Sequence, residues 1–170
     1  MALKLFFLLA STLASVALVS AGGQNGTHGP CVPDFHSQPI TILNYQGDYI
    51  EIAGVDGFMP ERVGKEPEIA FIIKDASDPH KAVTVQGDNS STLAWEPVSY
   101  NNVTQLFNIT CTSCTPHNAF GSAVAADKCT VKAGTGKNAK NMCLDAKSSE
   151  AGLKVCNSSS AEQLFSVVSL

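Results

Sequence analysis

Charged and aromatic residues are scarce in this chain. Of its 170 residues, 15% are charged and 7% are aromatic, and there is one tryptophan. The 11 Lys and Arg residues are fewer than the 15 Asp and Glu residues, and no segment gathers them into a basic patch. Nucleic acids and anionic membranes are bound by clustered Lys and Arg side chains. We therefore expect neither as a partner.

The motifs of common catalytic sites are also absent from the sequence. The four histidines are scattered, and none has the spacing of a zinc-binding helix. No Gly-x-Ser-x-Gly motif occurs, and no glycine-rich loop leads into a helix. Neighbouring carboxylates such as Asp56 and Glu61 lie in polar segments that are typical of solvated surface. We predict that the chain is not an enzyme and that it holds no cofactor and no metal.

Long hydrophobic runs are limited to the N-terminus. Lys4 precedes an apolar stretch that ends at Val19, and small residues follow up to Ala21. This order is typical of a secretory signal peptide, and the run is too short for a comfortable membrane span. We predict a signal peptide over residues 1–21 and one secreted, extracellular domain over residues 22–170, with no membrane span.

The cysteines all follow the predicted signal peptide. An even number of cysteines in an oxidising compartment predicts structural disulfides, here three. The Cys-x-x-Cys motif of Cys111 and Cys114 does not precede a helix, as a redox motif would, and no second pair completes a zinc site. The residues alone leave the pairing open. The cysteines are Cys31, Cys111, Cys114, Cys129, Cys143 and Cys156.

Five Asn-x-Ser/Thr sequons agree with a secreted protein. Each could arise by chance, but together they predict glycosylation in a eukaryotic host. The acceptor residues are Asn25, Asn89, Asn102, Asn108 and Asn157.

Short runs of β-branched and aromatic residues alternate with polar residues along the rest of the chain. No window has the sustained period of an amphipathic helix, so we predict an all-β domain. Polar turns rich in Gly, Asn, Asp and Ser separate the runs. The predicted strands are Ile40–Leu43, Tyr49–Ile52, Phe71–Ile73, Ala82–Val85, Leu93–Trp95, Leu106–Ile109, Cys129–Val131, Cys143–Leu144, Leu153–Val155 and Leu164–Val168.

A Gln-Leu-Phe tripeptide occurs twice, ending at Phe107 and at Phe165, 58 residues apart. An apolar strand precedes each copy, which indicates internal repetition. Three such units fit the domain, at about residues 31–68, 69–107 and 108–170. Repetition favours a β-barrel of three units, and the alternatives are another disulfide-linked barrel and an immunoglobulin-like sandwich.

The segment from Met142 to Val168 carries a family resemblance. It reads Cys-Leu-Asp, an apolar strand, Cys156, a polar turn and Gln-Leu-Phe, and a fainter copy spans Thr92 to Ile109. This order resembles one repeat of the ricin B-type β-trefoil lectins, and the composition is similar to that of small secreted fungal members. The resemblance implies a β-trefoil of three pseudo-repeats of about four strands each. It also implies a Cys143–Cys156 disulfide and core positions for both phenylalanines.

The same resemblance implies a sugar site in the third unit. Asp145 would accept hydrogen bonds from sugar hydroxyls, and Glu162 and Gln163 would complete the pocket. Lys154 stands where the family has an aromatic platform. In the second unit Val83-Thr-Val85 replaces Cys-Leu-Asp. When Leu93 is aligned with Leu153, Trp95 falls one residue beyond the platform position, so this tryptophan is a candidate for either the core or a sugar platform.

The sequence therefore predicts a secreted, non-catalytic carbohydrate-binding protein with glycans as partners. The alternative is a β-trefoil that binds an extracellular protein, as a protease inhibitor or an effector, through the segments Asp56–Pro67 and Thr115–Asp127. A third reading is a secreted protein that retains no ligand.

Overall fold

The computed structural model describes residues 30–65, 68–87, 91–115, 124–134 and 140–170. The predicted signal peptide and the sequons at Asn25 and Asn89 lie outside these residues. Within them the chain is all-β, as the sequence predicts, with two short 3-10 turns at Val103–Gln105 and Ala161–Gln163. The strands are β1 (Ile40–Leu43), β2 (Phe58–Val63), β3 (Ala70–Asp75), β4 (Lys81–Val85), β5 (Leu93–Pro97), β6 (Leu106–Thr110), β7 (Ser113–Cys114), β8 (Val124–Ala133), β9 (Met142–Asp145), β10 (Gly152–Val155) and β11 (Phe165–Ser169).

Six of these strands pair in a ring. β1 pairs with β2, β2 with β3, β3 with β6, β6 with β8, β8 with β11, and β11 with β1, and every pair is antiparallel. The link between β1 and β2 is the single residue pair Ile40 and Phe58. The architecture is therefore a large antiparallel sheet that closes into a partial ring.

Hairpins project from this ring. β4 pairs with β5, and β9 pairs with β10, along their whole lengths. A shorter hairpin follows β1, in which Ile52 pairs with Val55 in an isolated antiparallel β-bridge. The two residues between them, Ala53 and Gly54, have φ angles of 48° and 80°, as a two-residue hairpin turn of type I′ requires. The ring thus carries one short hairpin and two longer ones.

Three phenylalanines occupy equivalent places in the ring. Phe58, Phe107 and Phe165 each lie opposite a residue at the same place in the neighbouring strand. On its other side, Phe58 lies opposite Asp75 and Phe107 lies opposite Ala133, and each of these residues stands four positions after one of the three partners. The three partners are Ile40, Phe71 and Cys129, respectively. The aromatic residue of the first unit is therefore Phe58, which no Gln-x-aromatic motif marks in the sequence.

The core is filled by the side chains on the inner face of the ring. Phe58, Phe107 and Phe165 are at most 1% exposed, so both phenylalanines of the repeated tripeptide are core residues, as expected. Phe71 is equally buried, and Phe35 packs against it edge-on with ring centroids 5.5 Å apart. Burying one such ring contributes about 1.5–3 kcal/mol. These rings make the three units one hydrophobic core.

Strand β2 was missed by the pattern of the sequence. Its residues, FMPERV, include Pro60 and two charges, and a proline inside a run argues against a central strand. Pro60 pairs with Ile73 of β3, but β1 reaches β2 only at Phe58, so Pro60 lies where β2 has a single partner strand. Six residues of the predicted binding segment Asp56–Pro67 therefore form a ring strand. Most of Thr115–Asp127 lies outside the described residues, and its end belongs to β8.

Three disulfides use all six cysteines, as predicted. Cys143 and Cys156 are joined across the β9–β10 hairpin, which confirms the pair implied by the family resemblance. The others join Cys31 to Cys114 and Cys111 to Cys129. The two cysteines of the Cys-x-x-Cys motif thus have different partners. Cys31 also exchanges two backbone hydrogen bonds with Cys111, so this region fastens the N-terminal end of the described domain to the ring.

Candidate functional site

The glutamines of the repeated tripeptide bind the backbone of the hairpin before them. Nε2 of Gln163 donates to the carbonyl of Val155 at 3.0 Å, and its Oε1 accepts from the backbone N of Asn157 at 2.8 Å. Gln105 makes the matching bonds 58 residues earlier, to Pro97 and Ser99, at 2.9 and 2.7 Å. These contacts set a common register for both hairpins, counted back from each glutamine.

That register explains why Trp95 is partly buried and packs against the core. Counted back from the glutamines, Trp95 is equivalent to Leu153. The strand pairing agrees, because Val83 lies opposite Trp95 as Leu144 lies opposite Leu153. The alignment of Leu93 with Leu153 is wrong by two residues, and the platform position of the second unit is occupied by Glu96.

The contacts of Trp95 are those of a structural residue. Its Nε1 donates to the carbonyl of Ile52 at 2.9 Å. Its ring stacks on Phe58, with centroids 6.5 Å apart and an interplanar angle of 16°. Trp95 therefore ties the second hairpin to the short first one, and it does not form a platform beside Asp145.

The other three predicted site residues lie together around Lys154. Asp145 ends β9 and its side chain is 5% exposed. Its Oδ1 is 2.7 Å from Nζ of Lys154, and its Oδ2 accepts from Nε2 of Gln163 at 3.3 Å. Glu162 also contacts Lys154, with Oε2 3.6 Å from Nζ. Asp145, Glu162 and Gln163 therefore lie together in space, and Lys154 contacts both carboxylates.

The position of Lys154 follows from the pairing of β9 with β10. Asp145 lies opposite Gly152, and Cys143 lies opposite Lys154, so Lys154 and Asp145 are diagonal neighbours on one face of the hairpin. The hydrogen bond from Lys154 to Asp145 raises the pKa of the ammonium, burial lowers it by less, and Glu162 raises it further. Lys154 therefore remains charged, and a basic group takes the place of the aromatic platform.

A polar depression of about 350 Å³ adjoins Asp145. Gly152 and Lys154 line it together with Ser148 and Glu150 from the tip of the hairpin. A second depression of about 370 Å³ shares Ser148, Glu150 and Gly152 with it. Because Gly152 has no side chain, the buried carboxylate of Asp145 has open space beside it. Ser148 and Glu150 line the depression, although the Cys-Leu-Asp motif did not indicate them.

The second unit has no comparable carboxylate. Ala94 and Gly152 each stand 11 residues before a glutamine, and they lie opposite Thr84 and Asp145, respectively. By this pairing Thr84 is the equivalent of Asp145, and not Val85, as the sequence alignment suggested. The hydroxyl of Thr84 accepts from Nε2 of Gln105 at 2.9 Å, as Asp145 does from Gln163. Thr84 is 3% exposed, so this position is structural in the second unit.

Three of the predicted glycosylation sites lie in the described residues. Asn157 is exposed on the turn after Cys156, and its Oδ1 accepts from the backbone N of Ser159. Asn102 is half-buried and caps a 3-10 turn. Asn108 is half-buried, and its Nδ2 donates to the carbonyl of Ile69 at 3.4 Å. Glycosylation stays a prediction, and Asn157 is the most accessible acceptor of the three.

A charged cluster that the sequence did not indicate joins β2 and β3. Lys74 is ion-paired with Glu61, and the hydroxyl of Tyr100 donates to both carboxylate oxygens of Glu61 at 3.1 and 3.0 Å. Burial lowers the pKa of Lys74, but its hydrogen bonds to Glu61 and Tyr100 outweigh that effect and raise it overall. The carboxylate of Glu61 is thereby occupied.

No protein-family model matches the chain, and no curated protein has significant sequence similarity to it. Among the residues that the structure describes, no group of three or more His, Cys, Asp or Glu side chains is placed to hold a metal ion. The described part also contains no helix that is long and apolar enough to span a membrane. Function is therefore inferred from the site around Asp145.

Proposed function

We propose that the chain is a secreted, non-catalytic carbohydrate-binding protein built on a disulfide-linked β-trefoil. The ring of six strands, the three hairpins and the threefold recurrence of a buried phenylalanine support this fold. Three disulfides suit an oxidising, extracellular compartment. The residues that bind the ligand lie on the third hairpin.

The placement of Asp145 is the observation that carries the proposal. Its carboxylate is almost fully buried, both oxygens are held by neighbouring side chains, and it lines an open polar depression. Preorganised polar groups in a concave site are what a neutral, hydroxyl-rich ligand requires. Lys154 adds donors beside the acceptors of Asp145, so one sugar hydroxyl can bind to each.

The absence of an aromatic platform at Lys154 limits the affinity. Stacking on an aromatic ring contributes about 0.5–1.5 kcal/mol beyond the area that it buries. The long stem of Lys154 covers apolar surface but presents no flat face. We expect weak binding of single sugars, with useful affinity only for ligands that also contact Ser148 and Glu150.

A glycan array tests the proposal, with the protein produced through a secretory pathway so that its disulfides form. Binding to neutral glycans is expected, together with its loss in Asp145→Asn. Asp56→Asn is the matched control, because Asp56 is exposed and lies outside the depression. If the folded protein binds no glycan, or if both variants bind like the parent, the proposal is wrong.

A protein-binding module is the second candidate function. Tyr100 and Val103, 56% and 44% exposed, lie on one short loop. Exposed aromatic residues are enriched at the centres of protein interfaces. Inhibition of a panel of proteases, abolished by Tyr100→Ala and retained in Asp145→Asn, would favour this function over sugar binding.

A further inference from the structure

A second cleft, here called the Asn44 cleft, lies where the turn after β1 meets β8 and the start of β11. Its volume is about 300 Å³, and its walls include Asn44, Tyr45, Asp127, Lys128 and Ser166. It shares no lining residue with the depressions beside Asp145. Neither the repeated tripeptide nor the Cys-Leu-Asp motif contributes to it, so it is a separate site.

The near wall of the cleft is a rigid turn. Oδ1 of Asn44 accepts from the backbone N of Gln46 and of Asp48, at 2.9 Å each. The backbone N of Asn44 donates to the carbonyl of Asp48, and Gly47, with a φ of 86°, donates back to Asn44. These bonds hold Tyr45, which is 50% exposed, in a fixed position at the rim.

Asn44 also has an unused hydrogen-bond donor. It is 3% exposed, and its Nδ2 is the buried side-chain nitrogen that lacks a partner within the described residues. Two backbone amides fix Oδ1, so the orientation of the side-chain amide is determined. Buried polar groups without a partner are rare in folded proteins. Asn44 lines the cleft. A ligand oxygen would provide the acceptor that Nδ2 lacks once the wall shifts to admit it, because this nitrogen is inaccessible in the structure.

The far wall is a bulge in the pairing of β8 with β11. The register shifts between Phe165 and Val167, and Lys128 has a φ of 49°, which is unusual for a residue other than glycine. Bulges often re-aim side chains beside functional sites. Here Oδ1 of Asp127 accepts from the hydroxyl of Ser166 at 2.6 Å, so the carboxylate has a fixed direction.

The walls define the class of ligand. One carboxylate and one ammonium group, from Asp127 and Lys128, disfavour both an anion and a cation. The unused amide of Asn44 requires an acceptor, and Tyr45 offers an aromatic face at the rim. We propose that the Asn44 cleft is a second binding site for a neutral saccharide, in which Tyr45 stacks on the sugar ring and Asn44 and Asp127 bind its hydroxyls.

Calorimetric titration of the Asp145→Asn variant isolates this site from the first one. The probes are methyl glycosides of the common neutral hexoses and N-acetylhexosamines. We expect at least one glycoside to bind, and we expect the addition of Tyr45→Ala to weaken its binding about tenfold. Tyr49→Ala is the matched control, because Tyr49 is on the same turn, is 63% exposed and does not line the cleft.

Two results would overturn the second site. One is that no glycoside binds the Asp145→Asn variant. If the parent protein does bind sugar, this result argues against the Asn44 cleft but not against the site at Asp145. The other is that Tyr45→Ala and Tyr49→Ala have equal effects. Thermal unfolding of each variant shows whether a loss of binding reflects a loss of structure.

Discussion

Gln105 and Gln163 make the same hydrogen bonds at two turns that lie 58 residues apart. Each buried side chain donates to a carbonyl eight residues before it and accepts from a backbone N six residues before it. The second and third hairpins thus make the same backbone hydrogen bonds to the glutamine that follows each of them. In the first unit Asp56 stands two residues before the aromatic Phe58, where the other units have glutamine, and its hairpin is the short one.

Replacing either glutamine by leucine should destabilise the protein. Gln105→Leu leaves the carbonyl of Pro97 and the backbone N of Ser99 without their partner, at a cost of about 1–3 kcal/mol for each group that stays buried. Chemical unfolding measures the difference in free energy. Gln46→Leu is the control, because the exposed side chain of Gln46 should contribute less than about 0.5 kcal/mol. Equal effects of the two substitutions would contradict a structural role for Gln105.

The second hairpin should accept a disulfide at the place where the third has one. Val98 and Cys156 each stand seven residues before a glutamine, so they are equivalent. Ala82 is equivalent to Cys143 by the strand pairing, because Ala82 lies opposite Glu96 as Cys143 lies opposite Lys154. The backbone N of Val98 donates to the carbonyl of His80 at 2.9 Å, as Cys156 does to Asn141 at 3.1 Å. The double variant Ala82→Cys with Val98→Cys should form the bond and gain about 2–3 kcal/mol. Two free thiols in the folded variant, by thiol titration and intact mass, would show that the hairpins are not equivalent.

Acid should weaken the contribution of Asp75 to the stability of the folded protein. Burial raises the pKa of this carboxyl, but hydrogen bonds from the hydroxyl and backbone N of Ser77 outweigh burial, and together with Lys81 they hold the pKa below its ordinary value of 3.8. The folded pKa is below the unfolded one, so the stabilisation is complete above the unfolded value and is lost as the pH falls through the folded value.

Ser77→Ala removes one of these hydrogen bonds and tests the sign of the effect. The variant should be less stable than the parent near neutral pH, and the difference should shrink in strong acid. Unfolding curves across the acid range measure it, with the exposed Ser158→Ala as control. A difference that is constant with pH would show that the hydroxyl does not act through the charge of Asp75.

An aromatic residue at position 154 should strengthen sugar binding. The side chain of Lys154 is 59% exposed beside Asp145, so Lys154→Tyr places a ring at the platform position without burying it in the core. The phenol hydroxyl replaces the ammonium of Lys154 as a hydrogen-bond donor, so we expect stacking to raise the affinity by up to about tenfold, measured by calorimetry with the best ligand from the array. Lys147→Tyr, which alters another residue lining the same depression, should give no such gain. If Lys154→Tyr does not bind the ligand more tightly than the parent, the depression beside Asp145 is not the sugar site.

The all-β class was predictable from the sequence, because alternating strands and polar turns are local patterns. Nearly every predicted strand is present, and the family resemblance gave the Cys143–Cys156 bond correctly. Strand β2 was hidden because Pro60 and two charges interrupt its pattern, and these are tolerated where β2 has one partner strand. Cys31 and Cys114, 83 residues apart, are joined by tertiary packing, which the spacing of cysteines does not encode.

The site was predictable only in part, because the two hairpins were aligned at an apolar strand residue and not at the glutamine that follows each of them. Hairpin tips tolerate changes in length, so the alignment of Leu93 with Leu153 shifted Trp95 by two residues. The distance from strand to glutamine is fixed by the hydrogen bonds of Gln105 and Gln163, and counting from there gives the observed register. The salt bridge between Lys154 and Asp145 requires the pairing of β9 with β10, which the motif alone does not specify.

The most direct test of sugar recognition by Asp145 is a crystal structure of the protein with the best neutral glycan from the array. The account predicts a sugar in the depression beside Gly152, with one hydroxyl bound to the carboxylate of Asp145 and another to Nζ of Lys154. An empty depression, with the glycan bound elsewhere on the protein, would contradict it.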